Sequence, residues 1–212
     1  MAVSRLSAGE RKQAIVEAAI RLFSEKGFHG VTTRELAHAV GVSEPVLYQY
    51  YQNKHELYAA IVESKSREVA CNLGTPQSLV ADLDQDDRTI LCGIANKITR
   101  WYEDDPALNR LLLYSALEGQ EFSDLFFARH ASLFFDALIG YFEHRTKQGI
   151  FRGLDASICA WAFLGMLSHQ SMTRALYHFD PYPQPKERLV SQMVDLFLQG
   201  LQAQRNANAT TH

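Results

Sequence analysis

Apolar residues recur at three- and four-residue intervals along nearly all of this chain, and no segment alternates convincingly in the two-residue rhythm of a half-buried strand. Ile15, Ala18, Ala19, Leu22 and Phe23 form the first stripe, which stops near Lys26-Gly27, where glycine can close a helix. Leu36, Val40, Val42 and Leu47 mark two short helices about Gly41. Leu57, Tyr58, Ile61 and Val62 mark a longer one running from Lys54 to about Cys71. The stretch from Gly74 to Asp87, with Pro76 and four aspartates, reads as a loop and a boundary. Helical patterns resume at about 88–103, 106–117, 121–147, 155–178 and 186–203. The spacing predicts an all-α chain of about nine helices.

The boundaries between Thr32 and Lys54 can be derived from side-chain chemistry. Thr32 followed by Glu35 is a capping box, and Val31 with Leu36 is the matching hydrophobic staple. Ser43 is placed to cap the next helix, with Val42 and Leu47 at its staple positions. Glu44 suits the positive end of that helix dipole, and Pro45 is tolerated where amides lack intrahelical partners. Asn53 with Glu56 writes a third cap. Gly41 supplies the positive φ of a tight turn, and Ala37 is small where two helices cross. Helix, glycine turn, helix is a helix-turn-helix, the unit that places its second helix in the major groove of DNA.

Charge changes this picture only slightly. The 212 residues carry a formal net charge of −3, and residues 1–58 hold seven Lys/Arg against six Asp/Glu. Contact with phosphate therefore has to come from local placement of Arg5, Arg11, Lys12, Arg34 and Lys54. Cys71, Cys92 and Cys159 are far apart, without a CxxC or a histidine at ligand spacing, so neither a disulfide framework nor a zinc site is expected. His130, His144 and His178 likewise lack metal-ligand spacing. The start MAVSRLSAGERK has no apolar signal core, and no apolar run reaches membrane-span length. A cytoplasmic protein without membrane, metal or cofactor is the expectation. There is no GxSxG, HExxH or phosphate-cradling glycine loop, so enzyme chemistry is not expected either.

The last two helices carry more apolar residues than one buried face needs. Ile158–Leu176 is apolar around much of its circumference, and Ala162, Gly165 and Ser168 would allow close approach of another helix. Leu189, Met193, Leu196, Phe197 and Leu201 share a face of the following helix. A symmetric four-helix seam between two copies accounts for both patterns. Burial of both helices inside the monomer is the competing reading.

From Ala14 to Tyr58 the chain resembles the TetR/AcrR family of transcriptional regulators. The residues that carry the resemblance are GF-x-x-x-TT-x-x-x-L-A, then GVS, then LY-x-YY-x-x-K-x-x-L in register. It implies a DNA-binding domain over 1–58 and a ligand-binding and dimerising helical domain over 59–205; the polar NANATTH end reads by itself as a frayed tail over 206–212. The resemblance further implies a homodimer bound to a double-stranded operator and released by a small-molecule effector. By position, Thr33 and Arg34 would lie near phosphates, while Ser43, Glu44, Pro45, Val46, Tyr48 and Gln49 would form the recognition surface. Tyr50 and Lys54 would anchor the backbone, although packing is an equal reading for Tyr50. Gln49 can pair with adenine, and Val46 or Pro45 can meet a thymine methyl. Glu44 departs from the neutral or basic residue of many relatives, and its carboxylate is expected to favour selectivity over affinity.

The family plan also puts Trp101, Tyr114, Phe126, Phe134, Trp161, Met166, His169 and Met172 on helices around a central cavity. The set suits a lipophilic or aromatic effector, though for any one of these residues core packing is the better reading. A helical sensor or adaptor that no longer binds DNA is the alternative function, given the weak basic charge.

Overall fold

The computed structural model describes residues 7–73, 85–119, 124, 126–128, 132–181 and 183–202, the side chains of 62, 66, 67 and 69–73 excepted. Among them are nine named helices: α1 (Ala8–Lys26), α2 (Thr33–Val40), α3 (Glu44–Tyr50), α4 (Lys54–Leu73), α5 (Asp87–Asp104), α6 (Pro106–Glu118), α7 (Ser132–Lys147), α8 (Ala156–Tyr177) and α9 (Lys186–Leu201). Extended pairing among the described residues is limited to one antiparallel bridge, Phe151 with Gln202. The all-helical expectation stands. The predicted loop at 74–87 lies largely outside the described residues, as do the start of the predicted 121–147 helix and the 206–212 tail.

The chain divides into two compact units. One comprises Met1–Asn72 with Asp105–His130, the other Leu73–Asp104 with Ala131–His212. α6 thus belongs with α1–α4, a grouping that local sequence pattern does not reveal.

Short-range chemistry builds the first unit. Ser7 opens α1 with a capping box to Glu10, an S-x-x-E signature legible in the sequence. Thr32 and Glu35 form the expected box at α2. Gly41 then ends α2 in the left-handed region, φ 73° and ψ 34°. Its amide reaches His38 O at 3.1 Å and the Val42 amide reaches Ala37 O at 2.9 Å, the paired bonds of a Schellman motif. Asn53 Oδ1 accepts from the Glu56 amide at 2.8 Å, completing the third cap. Ile15, Ala19, Phe23, Leu36, Leu47, Leu57 and Ile61 are buried beneath these elements. Phe23, Phe28 and Tyr58 stack with centroids 4.8–5.6 Å apart.

α6 is held to this unit at both ends. Asp105 caps it by accepting from the Leu108 amide, and the same carboxylate accepts from Lys65 of α4 at 2.6 Å. At the other end Glu118 Oε2 accepts from the Phe28 amide at 2.8 Å.

The second unit is a non-local core. α5 packs on α8 and α9, and α7 packs on α8. Leu91, Ile94, Leu138, Phe142, Phe163, Leu167 and Val194 fill the centre. Arg145, buried on α7, donates to Asp87 at the start of α5, and Tyr141 donates to the same carboxylate. Arg88 bonds Asp195 across α5 and α9.

Candidate nucleic-acid interface

The second helix of the turn motif shows opposite faces in its seven residues. Leu47 is 3% exposed and locks α3 inward. Pro45, Tyr48 and Gln49 are exposed, Val46 and Tyr50 are half-buried, and Ser43 lies open just before the helix. A shallow depression beside this surface is lined by Thr33, Leu36, Leu47, Tyr48, Tyr51, Asn53, Lys54 and Leu57. Tyr51 itself is buried, and Lys12 Nζ lies 5.5 Å from its ring centroid. Burial pushes the Tyr51 hydroxyl above its ordinary pKa.

Ser43 occupies the cap position of α3, but its hydroxyl makes no capping bond. Pro45 explains this departure from the sequence expectation. A capping hydroxyl needs the second or third helical amide, and proline at the second position has none. The third amide, that of Val46, already donates to Ser43 O at 3.0 Å.

Glu44 takes up the polar work at this end. Its Oε2 accepts from Thr33 Oγ1 at 2.9 Å, and Tyr48 OH donates to the same Thr33 oxygen at 3.4 Å. One carboxylate and one hydroxyl thereby join the beginnings of α2 and α3. Both helix starts carry the positive end of a dipole, which favours the anion placed there. Arg34 is exposed one residue further on.

Lys54, read from sequence as a backbone anchor, has an internal task in the free protein. Its ammonium donates to Phe28 O at 2.6 Å and Val31 O at 2.7 Å, and it lies 4.2 Å over the Phe28 ring. Partial burial lowers its proton affinity, opposed by the charges of Glu118 and Glu35. Glu35 carries a stronger perturbation. A hydrogen bond from Lys26 at 2.7 Å and bonds from Thr32 bring its carboxyl to about 2.

The residues expected around an effector are dispersed. Tyr114 and Phe126 belong to the first unit, where the Tyr114 hydroxyl donates to Glu25 O at 3.4 Å and Phe126 is buried. Trp101, Phe134, Met166 and Met172 are half-buried residues of the second unit. Trp161 is 67% exposed, stacked on Phe135 at 4.6 Å, and His169 is also exposed. Neither lies in the interior, contrary to the sequence expectation, because α8 is apolar on more faces than its own unit covers.

The expected seam residues divide as well. Ala162, Gly165 and Leu196 are exposed, the last at 68%, and Ile158 joins them although the sequence reading did not select it. Leu201 is buried, and Met193 and Phe197 pack against the core. Phe197 stacks between Phe142 and Phe163. Ser168 and Leu189 are half-buried. A helix apolar on two sides offers two self-consistent stripes, and the pattern alone does not say which one faces inward.

Comparison with known proteins gives this geometry a context. Residues 15–61 match the family described as bacterial regulatory proteins, tetR family, and residues 95–201 match the AefR-like transcriptional repressor C-terminal domain. The HTH-type transcriptional activator FasR of Mycolicibacterium smegmatis is 40% identical over 60 residues, 28% of this chain and 27% of that protein. The nucleoid occlusion factor SlmA of Haemophilus ducreyi is 47% identical over 58 residues, 27% of this chain and 29% of SlmA. The chain thus spans less than a third of either relative's length. Among solved structures, AibR in complex with isovaleryl coenzyme A and operator DNA superposes with a TM-score of 0.66 at 24% identity, covering 91% of this chain and 98% of AibR. The fatty acid degradation regulator FadR from Bacillus halodurans gives 0.65 at 19%, covering 91% and 97%.

Proposed function

Since the chain belongs to the TetR family of bacterial regulatory proteins, we propose that it works as a homodimeric, cytoplasmic repressor which a small lipophilic or aromatic effector releases from its operator. The observation that carries the DNA half of this reading is the division of α3, with Leu47 inward and Pro45, Tyr48 and Gln49 outward. A helix so divided can lay its polar face against base edges without unfolding the unit that holds it. Arg34 and the open Ser43 stand at helix starts, where backbone amides and side chains suit phosphate oxygens.

The repressor direction is supported by the likeness of residues 95–201 to a repressor's C-terminal domain. The dimer is supported by Ile158, Trp161 and Leu196, large apolar side chains left about two-thirds exposed, with Ala162 and Gly165 on the same helix as the first two. Effector binding rests on half-buried Trp101, Phe134, Met166 and Met172, a mostly apolar set suited to a lipophilic molecule. A ligand that preferred a different spacing of the two reading helices would lower operator affinity by its differential binding energy.

Fluorescence-anisotropy titration with a labelled duplex from upstream of the chain's own gene, at two salt concentrations, tests the reading. Tight binding that falls steeply with salt, and exceeds that for a scrambled duplex, is the expected result. Equal affinity for both duplexes at low salt would overturn it in favour of an adaptor.

A further inference from the structure

The backbone of Phe28 is gripped by opposite charges on its two flanking peptide groups. Its amide donates to Glu118 Oε2 at 2.8 Å, and its carbonyl accepts from Lys54 Nζ at 2.6 Å. The two gripping residues come from α6 and α4, which lie 90 and 26 residues away in sequence. The Phe28 ring is buried and lies under the same ammonium, 4.2 Å from it. Lys54 also holds the Val31 carbonyl, immediately before the Thr32 cap that starts α2. The loop that aims α2, and through the Thr33–Glu44 bond α3, is therefore fixed by two charged side chains outside the helix-turn-helix proper.

Two further features are adapted to this grip. Gly27 has φ 73°, and a Cβ built there would lie 2.3 Å from Glu118 Oε1 and 3.1 Å from its carboxyl carbon. Only glycine gives both the backbone angle and the room for the carboxylate to approach. Glu118 is itself out of place by local rules, an acid in the last turn of α6, where the helix dipole disfavours negative charge. Gly119 ends the helix immediately after it, in the left-handed region. Breaches of local preference that serve a long-range contact are characteristic of functional positions.

We propose that Glu118 is a positioning residue for operator recognition: it touches no DNA, and by holding the Phe28 amide it sets the orientation of α2 and α3 on the duplex. This rests on the DNA-binding reading, but its first effect is measurable without DNA. Hydrogen exchange on the full-length protein should show Glu118→Ala raising amide exchange across residues 27–33 about tenfold, as expected when a hydrogen bond to a charged group is lost. Affinity for a duplex selected by the wild-type protein from a random pool should fall about tenfold as well, with the salt slope unchanged because no phosphate contact is removed. Glu118→Asp, which keeps the charge but withdraws it by one methylene, should behave like the alanine variant. Glu118→Gln, which keeps an acceptor oxygen in place, should return both readouts to near wild type.

Unchanged exchange over 27–33 in the alanine variant overturns the proposal. So does a lowered melting temperature with full affinity of the folded protein, since that describes a structural role alone. If the wild type selects no sequence from the pool, the DNA reading fails while the exchange result still judges the grip.

Discussion

The two compact units of this chain differ in how far short-range side-chain chemistry sets their helix boundaries. In the first, side chains act on backbone groups three or four residues away: Ser7 with Glu10, Thr32 with Glu35 and Asn53 with Glu56. In the second, α5 packs on α8 and α9, helices more than 50 residues away, beside the sequence neighbours α7 and α8. Local chemistry specifies where a helix starts, while its direction also takes long-range contacts such as Glu118 with Phe28. Non-local apolar packing specifies only that a side is covered. A reading surface needs the first kind of precision. An effector-responsive body can rely on the second and repack.

The largest expected effect tests the second unit. Phe163 of α8, fully buried in the core and stacked on Phe197 of α9, should cost about 3–5 kcal/mol when changed to alanine, because a cavity is left where the ring was. Chemical denaturation measures the loss. If the two units melt separately, DNA affinity of the remaining reader would show how independent they are. Next comes Trp161→Glu, which places a charge in the exposed α8 face. Sedimentation equilibrium should show the dimer replaced by monomer while far-ultraviolet dichroism stays unchanged, and a persistent dimer would place the seam elsewhere.

Smaller effects are expected in the reader. Gly41→Ala should cost about 1 kcal/mol, purely from holding alanine at φ 73°, since nothing lies within 4 Å of the added carbon. Thr32→Ala should cost a comparable ~1 kcal/mol, whereas Ser43→Ala should stay within about 0.5 kcal/mol because no capping bond is lost. Equal losses at the two caps would contradict the role given to Pro45.

The pH dependence is the most delicate of these tests. Glu35 titrates at about 2 in the folded protein against 4.5 for the free side chain, because Lys26 and Thr32 hold its ionised form. A depressed carboxylate stabilises fully above its unfolded value, and that stabilisation disappears as pH falls through the folded one. Melting temperature should therefore decline between pH 4.5 and about 2, and Glu35→Gln should flatten part of that decline.

The same contrast explains what was legible in the sequence. Thr32–Glu35, Gly41 and Asn53–Glu56 could be read directly because each signal sits within a few residues of its effect. Ser43 takes the cap position that the sequence predicts but makes no capping bond, and Pro45 two residues away contains the reason. Lys54 and Glu118 were beyond local reading, since their partner at Phe28 is brought to them by folding. On α8 and α9 apolar residues occupy more than one side, so Leu196 and Leu201 looked equivalent and are not: one is open, the other buried. Trp161 is open for the same reason.

The central claim is that α3 reads base edges with its outward face. Its most direct test is to compare wild type and Gln49→Ala against every single-base variant of the selected duplex. Loss of discrimination confined to one base pair, worth about 1–3 kcal/mol, with an unchanged salt slope, is the predicted result. A uniform weakening across all variants, or no change at any position, would contradict it.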